Sequence, residues 1–474
     1  MPQPLKAATL AELKAAVGEG GWLDSSEDLS AYTIDFRRLY RGSTPLVLMP
    51  RDVGQVSRIL SLCSRDRAAV VPFGGNTGYC GGATPDESGS QIVLSMRRIN
   101  RIRHVDAVNN SMIVEAGCTL AEAQAAARSS DRLFPLSIGS QGTAQIGGNL
   151  STNAGGTAVL RYGMMRDLVL GLEVVLADGR VLSGLKSLRK DNTGYDVKSL
   201  FIGAEGTLGV ITAACLKLYP QPLDTATALV GLETPQRALG LLSDLRSAAG
   251  DALSAFELMP RIAVELTVKH VSGVANPLDM RAPWYALVEL SSANPHQQLS
   301  TLLADTLQDA AAEAVVIDAS IANSLAQSHA MWKLRESVPE AQRHHGPSLK
   351  HDISVPVSSI PELIERGTEL ARRLAPEGDT VSYGHMGDGN LHFNVSQRPG
   401  TSNEGFSGRA HALETALFDL AESLGGSISA EHGIGRLKAE ELAARADPVE
   451  LSIMRALKAT LDPHGIMNPG KVLA

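Results

Sequence analysis

Cysteine is scarce in this chain: Cys63, Cys80, Cys118 and Cys215 stand singly, with no close pair and no iron–sulfur spacing. That excludes a disulfide scaffold and an intrinsic cluster, and it favours a reducing compartment. Long hydrophobic runs are also missing, since none approaches the roughly 18 residues of a membrane span. The N-terminus carries Glu12 and Glu19, no apolar core segment and no arginine enrichment, so neither a secretory signal nor a transit peptide is expected and a cytoplasmic location is. Neither sign of charge dominates: 43 Lys and Arg face 51 Asp and Glu, a net charge of −8 spread along the chain. Nucleic acid and anionic membrane surfaces are therefore not expected as partners. Gly-x-Gly-x-x-Gly and Walker A patterns are absent, which removes the sequence support for an NAD-type Rossmann site or a P-loop. No internal repeat is found.

What is present is a 474-residue chain with 44% apolar residues, enough for two or three well-buried domains. Its 45 glycines cluster in loops between apolar runs, where backbone must approach a ligand, and this points to a large phosphate-bearing cofactor. Up to about residue 220 the pattern is α+β. It predicts strands over 46–49, 69–72 and 112–116 and helices over 56–63 and 120–127. Pro220 and Pro222 mark a domain boundary. Beyond it, strands are expected over 226–232, 285–290 and 314–317, separated by amphipathic helices over 235–248 and 297–312. This order fits an antiparallel sheet with helices on one face. A last helix is expected over 451–461.

Two sets of residues carry chemistry. The first is Pro72-Phe-Gly74-Gly75-Asn76-Thr77-Gly78, then Gln145-Ile-Gly147-Gly148-Asn149-Leu-Ser-Thr152-Asn153, then Glu205-Gly206. Successive glycines present backbone N–H groups as a nest for a pyrophosphate, and Asn, Ser and Thr add neutral donors. The second is His385-Met-Gly-Asp388-Gly389-Asn-Leu-His392, followed later by Glu431-His432. Asp-Gly is a strong signal for a two-residue type I′ hairpin. Such a turn would make His385 and His392 cross-strand partners with Cβ atoms roughly 4.5–5.5 Å apart, close enough to share one ion. With Glu431 the set becomes two imidazoles and a carboxylate, which leaves a position open for a substrate oxygen.

From Tyr40-Arg-Gly42 through Asn468-Pro-Gly-Lys471, these segments resemble the FAD-binding (PCMH, vanillyl-alcohol oxidase type) D-2-hydroxyacid dehydrogenase family. Within it, Asn394 and the Gly139–Gly156 run are most similar to D-2-hydroxyglutarate dehydrogenases. The resemblance implies an α+β fold with a FAD-binding PCMH-type domain over 1–221 and a substrate-binding cap domain over 222–425, its antiparallel sheet covered by helices. A short C-terminal helical segment over 426–474 would return to the flavin. For FAD it implies Pro72, Gly74, Gly75, Asn76, Thr77, Gly78, Ser140, Gly147, Gly148, Asn149, Thr152, Asn153, Gly155, Glu205, Gly206, Ile211 and Asn468. Asn76 stands where covalently tethering relatives often carry His, so non-covalent FAD is expected.

The resemblance assigns substrate binding to Arg335, Lys350, Asn394 and His432, the metal to His385, His392 and Glu431, and the catalytic base to His432. Zn²⁺ is the favoured ion, with Mn²⁺, Co²⁺ and Fe²⁺ also compatible. The implied reaction takes D-2-hydroxyglutarate to 2-oxoglutarate, with hydride passing from C2 to flavin N5. Pro339 replaces a frequent Thr and so opens a side activity on D-malate. The alternatives are a D-lactate dehydrogenase and the FAD subunit of a glycolate oxidase. Electrons are expected to leave to an electron-transfer flavoprotein or a quinone-linked acceptor, and a homodimer is compatible with the chain.

Overall fold

The computed structural model describes residues 5–401 and 403–473 and contains mixed helix and sheet throughout. These residues form two compact units. The first takes the chain up to Gly155, Gly163–Gln221 and the residues from Glu431 on; the second takes Gly156–Tyr162 and Pro222–Ala430.

In the first unit a four-stranded sheet runs in the order Trp22–Leu23, Val47–Leu48, Ile92–Ser95, Val70–Phe73; the first pair is antiparallel and the other two are parallel. The buried parallel strands are short apolar runs, as strands covered by helices must be. The helix Val53–Asp66 starts where the Asp52 side chain accepts from Gln55 N–H, and it buries Val56, Ile59 and Leu60 against the sheet together with Leu13 and Val17 of the helix Ala7–Val17. A five-stranded antiparallel sheet follows, in the order Ile102–Asp106, Ser111–Glu115, Val210–Lys217, Val169–Val175, Val181–Gly184. The C-terminal segment lies parallel to Val70: Val70 N–H donates to Ile466 O, and Asn468 N–H donates to Val70 O, both at 2.8 Å. This edge pairing carries Asn468 back to the loop that leaves Phe73.

The second unit holds a four-stranded antiparallel sheet, Leu253–Pro260, Trp284–Ser292, Asp224–Leu232, Val316–Ile321. Helices were expected on one face, yet both faces are covered. Ala228, Val230, Phe256 and Val288 pack with the helices Pro235–Ala249 and Leu299–Ala312. Leu229, Tyr285 and Leu287 pack with Arg261–His270 and Leu325–Glu336. Strands whose residues are apolar on both sides need two helical layers, and Asp224–Leu232 is buried from Ala226 onwards. The expected strand at 314–317 begins at Val316 instead, because Ala314 takes a left-handed φ of 56° after the helix. A second antiparallel sheet, in the order Ser348–Ser354, Asn390–Gln397, Gly378–Tyr383, holds Lys350, His392 and Asn394.

Candidate active site

The first unit brings most of the glycine-rich residues together. A Cβ built on Gly74 would sit 3.7 Å from Gln145 Oε1 and from Gly148 Cα, and one on Gly75 would collide with Thr143 O at 2.0 Å. Thr143 and Ala144 N–H both donate to Ser140 O. Gly206, at φ 73°, lies against Pro72, and Asn468 Nδ2 donates to Gly82 O at 3.0 Å and to Glu205 O at 2.7 Å. Three asparagines, Asn76, Asn153 and Asn468, hold left-handed φ of 52°, 50° and 43°, a conformation that Asn tolerates better than most residues. Glu205 shares it at φ 51°. Its buried carboxylate accepts from Ile434 N–H at 2.8 Å and Gly435 N–H at 3.1 Å, and burial pushes its pKa up against those two bonds.

The cradle fits a cofactor. Gln145 Oε1, Asn149 Nδ2 and Asn468 Oδ1 are buried without a hydrogen-bond partner, a costly state in a finished core. Gly78 and Gly148 face open space where a Cβ would fit. An adenine dinucleotide diphosphate needs such backbone access and neutral amides. Other expected contacts have local duties: Asn76 Nδ2 donates to Ile34 O at 2.9 Å, Asn153 Oδ1 accepts from Arg166 N–H at 2.8 Å, and Thr152 Oγ1 donates to Gly148 O at 3.0 Å. Thr77 is half-buried in the loop, Gly147 packs on Ala116, Gly155 ends its segment, and Ile211 is buried opposite Val174. The His432 ring packs on Tyr79 at a tilt of 47° with centroids 4.5 Å apart, and Glu431 begins this unit's return segment.

In the second unit the expected hairpin is corrected. Asp388 does not take a positive φ; Met386–Asp388 forms a 3₁₀ turn and Gly389, at φ 91°, closes it. Tyr383, not His385, is the cross-strand partner of His392. The longer loop nevertheless folds back, leaving the His385 and His392 rings 5.5 Å apart and edge to face. Alternation along the strands puts Asp352, His392 and Tyr383 in one row, with Lys350, Asn394 and Val381 in the next. Asp352 Oδ1 lies 3.7 Å from His392 Nδ1 and accepts from Asn390 Nδ2 at 2.9 Å.

Arg335 sits in the last turn of the helix Leu325–Glu336, buried rather than solvated. Its guanidinium lies 4.9 Å from the Tyr383 ring centroid, and its Nε donates to Glu257 Oε2 at 2.7 Å. The other oxygen of Glu257 accepts from His385 Nδ1 at 2.6 Å. Burial alone would push the Glu257 carboxyl up, but the charges and hydrogen bonds of His385 and Arg335 outweigh it and hold it at about 2. Lys350 lines a cavity of about 390 Å³ with Gln342, Arg343, Gly346, Pro347 and Ser348. The amide of Gln342 accepts from Asn394 Nδ2 at 3.0 Å on the same side.

Glu257, Asp352 and Gln342 escape a reading by motif. The available signal for Glu257 was one acid inside the apolar run Leu253–Pro260, every residue of which is buried.

Two family models match the chain: the FAD binding domain over residues 44–184 and the FAD linked oxidases, C-terminal domain, over residues 221–472. The D-2-hydroxyglutarate dehydrogenase, mitochondrial, of Bos taurus is 40% identical over 468 residues, covering 98% of this chain and 83% of the relative. The D-2-hydroxyglutarate–pyruvate transhydrogenase of Saccharomyces cerevisiae is 36% identical over 456 residues, covering 94% and 90%. A crystal structure of p-cresol methylhydroxylase with substrate bound superimposes with a TM-score of 0.77 at 16% identity, covering 100% of this chain and 98% of the other, which speaks to the fold alone. Relatives named as mitochondrial, the bovine protein among them, overturn the cytoplasmic location expected from the N-terminal residues. Among the described residues no helix is long and apolar enough to cross a membrane. With both halves matched by flavin-oxidase models and relatives at this identity over nearly its whole length, the chain belongs to the FAD-dependent D-2-hydroxyacid dehydrogenases of the FAD-linked oxidase family.

Proposed function

We propose that this protein oxidises D-2-hydroxyglutarate to 2-oxoglutarate with non-covalently bound FAD and a divalent cation, Zn²⁺ being favoured. The observation that carries the reading is the buried Arg335–Glu257–His385 network beside His392 and Asp352, with Lys350 and Asn394 one row along the same sheet face. A 2-hydroxy dicarboxylate needs a cationic group for each carboxylate, and Arg335 and Lys350 supply them. The substrate named for the bovine and yeast relatives agrees with this charge pattern.

FAD held by the glycine cradle would supply the acceptor for the C2 hydride. A cation held by His385, His392 and Glu431 would supply Lewis acidity to the substrate hydroxyl. His432 takes the hydroxyl proton, Asn394 orients the substrate from the sheet, and Pro339 removes a hydroxyl donor and so admits D-malate more readily. Reducing equivalents then pass to an electron-transfer flavoprotein or a quinone-linked acceptor.

The test is anaerobic bleaching of the flavin by D-2-hydroxyglutarate, D-malate, D-lactate and glycolate, each with and without a chelator. Fastest bleaching by D-2-hydroxyglutarate, abolished by the chelator, is the expected result. Preference for lactate or glycolate would transfer the chain to one of those branches. Acid precipitation should leave the flavin in the supernatant; flavin in the pellet would refute non-covalent binding.

A further inference from the structure

We infer that Glu257 is a positioning residue that couples substrate-carboxylate recognition to metal binding by holding Arg335 and His385 with one carboxylate. The inference rests on the reading above for the roles of Arg335 and His385, and assigns a role to Glu257, which that reading names only as a member of the network.

The placement is set by the backbone. Leu258 N–H donates to Gly384 O at 2.8 Å and Gly384 N–H donates to Leu258 O at 2.9 Å, so the strand carrying Glu257 is tied to the residue before His385. Gly384 takes φ 146°, and a Cβ there would meet Asn390 O at 3.1 Å, so this crossing favours glycine. Glu257 Oε1 and Oε2 then reach His385 and Arg335 at 2.6 and 2.7 Å, with side chains of 1%, 8% and 7% exposure respectively.

The chemistry follows from the atoms used. An ionised carboxylate only accepts, so His385 Nδ1 must carry a proton, which leaves Nε2, once deprotonated, as the atom free to ligate. Arg335 Nε, bonded to Glu257, fixes the guanidinium plane over Tyr383, the cross-strand partner of His392. A shift of the carboxylate therefore disturbs both partners at once. Outer partners of this kind typically change metal affinity by about 10–100-fold when removed.

The test uses the FAD-loaded full chain and its Glu257→Gln and Glu257→Asp variants. Zn²⁺ affinity of chelator-treated protein is measured by calorimetry, with kcat and KM for D-2-hydroxyglutarate and the FAD content alongside. Glu257→Gln offers one acceptor where two donors need one. It should bind Zn²⁺ about 10–100-fold more weakly and raise KM about tenfold while the FAD content stays unchanged. Glu257→Asp keeps the charge but is one methylene short, and both constants should fall between those of the wild type and Glu257→Gln. If Glu257→Gln does not fold, Glu257→Asp alone decides. A purely structural Glu257 would lower the melting temperature and leave Zn²⁺ affinity and KM of the folded protein within twofold, which would overturn the coupling. Wild-type protein that binds no Zn²⁺ or is not reduced by D-2-hydroxyglutarate would overturn the functional reading and the coupling together; wild type that does both alongside an unaffected Glu257→Gln overturns the coupling alone.

Discussion

Each unit holds a buried glutamate between two basic partners, Glu115 in the first and Glu257 in the second, and the two sites differ in what surrounds the partners. Glu115 is fully buried in the five-stranded sheet and bonds Arg101 Nη2 at 3.0 Å and Arg103 Nε at 2.9 Å, yet those side chains are 70% and 26% exposed. Arg103 continues to Glu173 at 2.9 Å, and Glu115 also accepts the Arg101 backbone N–H at 2.8 Å. This is a staple at the edge of a sheet, with its cations still hydrated. Around Glu257 all three groups leave water, and taking charges out of water costs several kcal/mol per ion, a cost that attraction between them only partly offsets. A buried network of this kind is weak evidence for stability. Its place at His385, with the His392 ring 5.5 Å from that of His385, points to a site.

The largest expected effect separates the two directly. Arg335→Met should lower kcat/KM by more than about 100-fold and destabilise the protein by about 3 kcal/mol, because Glu257 loses one of its two partners in a place water does not reach. Arg101→Met should leave the denaturation midpoint nearly unchanged and turnover within twofold, since its partner keeps Arg103 and a backbone donor. Denaturant titration and steady-state kinetics on both variants decide the matter, and equal losses would erase the distinction. Next, Glu115→Gln should destabilise by about 1–3 kcal/mol with FAD content and KM unchanged. A changed KM there would mean that the staple reaches the chemistry.

The acid limb sharpens the same contrast. Glu257 is held at about 2, below its ordinary value of 4.5, so its contribution is fully present above that ordinary value and fades as pH falls from there through about 2. Glu115 is also lowered, burial being outweighed by its arginine bonds, and contributes with the same sign. Denaturant midpoints between pH 6 and pH 2 should therefore fall less steeply in Glu257→Gln than in the wild type; parallel curves would remove Glu257 from the acid response. The smallest stability effect lies in the glycine cradle. Gly148→Ala meets open space, so stability should stay within about 0.5 kcal/mol while FAD affinity drops. Gly75→Ala, driven into Thr143 O, should cost about 1–3 kcal/mol as well. Equal melting temperatures for the two variants would contradict the cradle geometry.

Local physics made much of this legible in advance. The helix expected at 235–248 is Pro235–Ala249, started by Thr234 and a first-turn proline, and that expected at 120–127 is Leu120–Arg128, started by the Thr119–Glu122 capping box. The strands expected at 226–232 and 285–290 lie within Asp224–Leu232 and Trp284–Ser292. Glycine loops announce themselves because their function depends on backbone, and backbone freedom is written in residue type. The His385–His392 hairpin misled for a related reason: Asp-Gly marks a turn but not its length. The contact between Leu258 and Gly384, which the local sequence does not contain, draws the strand end away at Tyr383.

The sequence by itself therefore determined the two element patterns, the glycine-rich loops and the family, all of which rest on spacing over a few residues or on motif likeness. Only the tertiary structure decided that both faces of the four-stranded antiparallel sheet are covered, that Asp352 stands opposite His392, and that Arg335 is buried on Glu257. Glu257 and His385 are 128 residues apart along the chain, and whether a charge is stable there depends on every group that excludes water around it. No local pattern encodes that exclusion, because it is a property of packed neighbours rather than of neighbours in sequence.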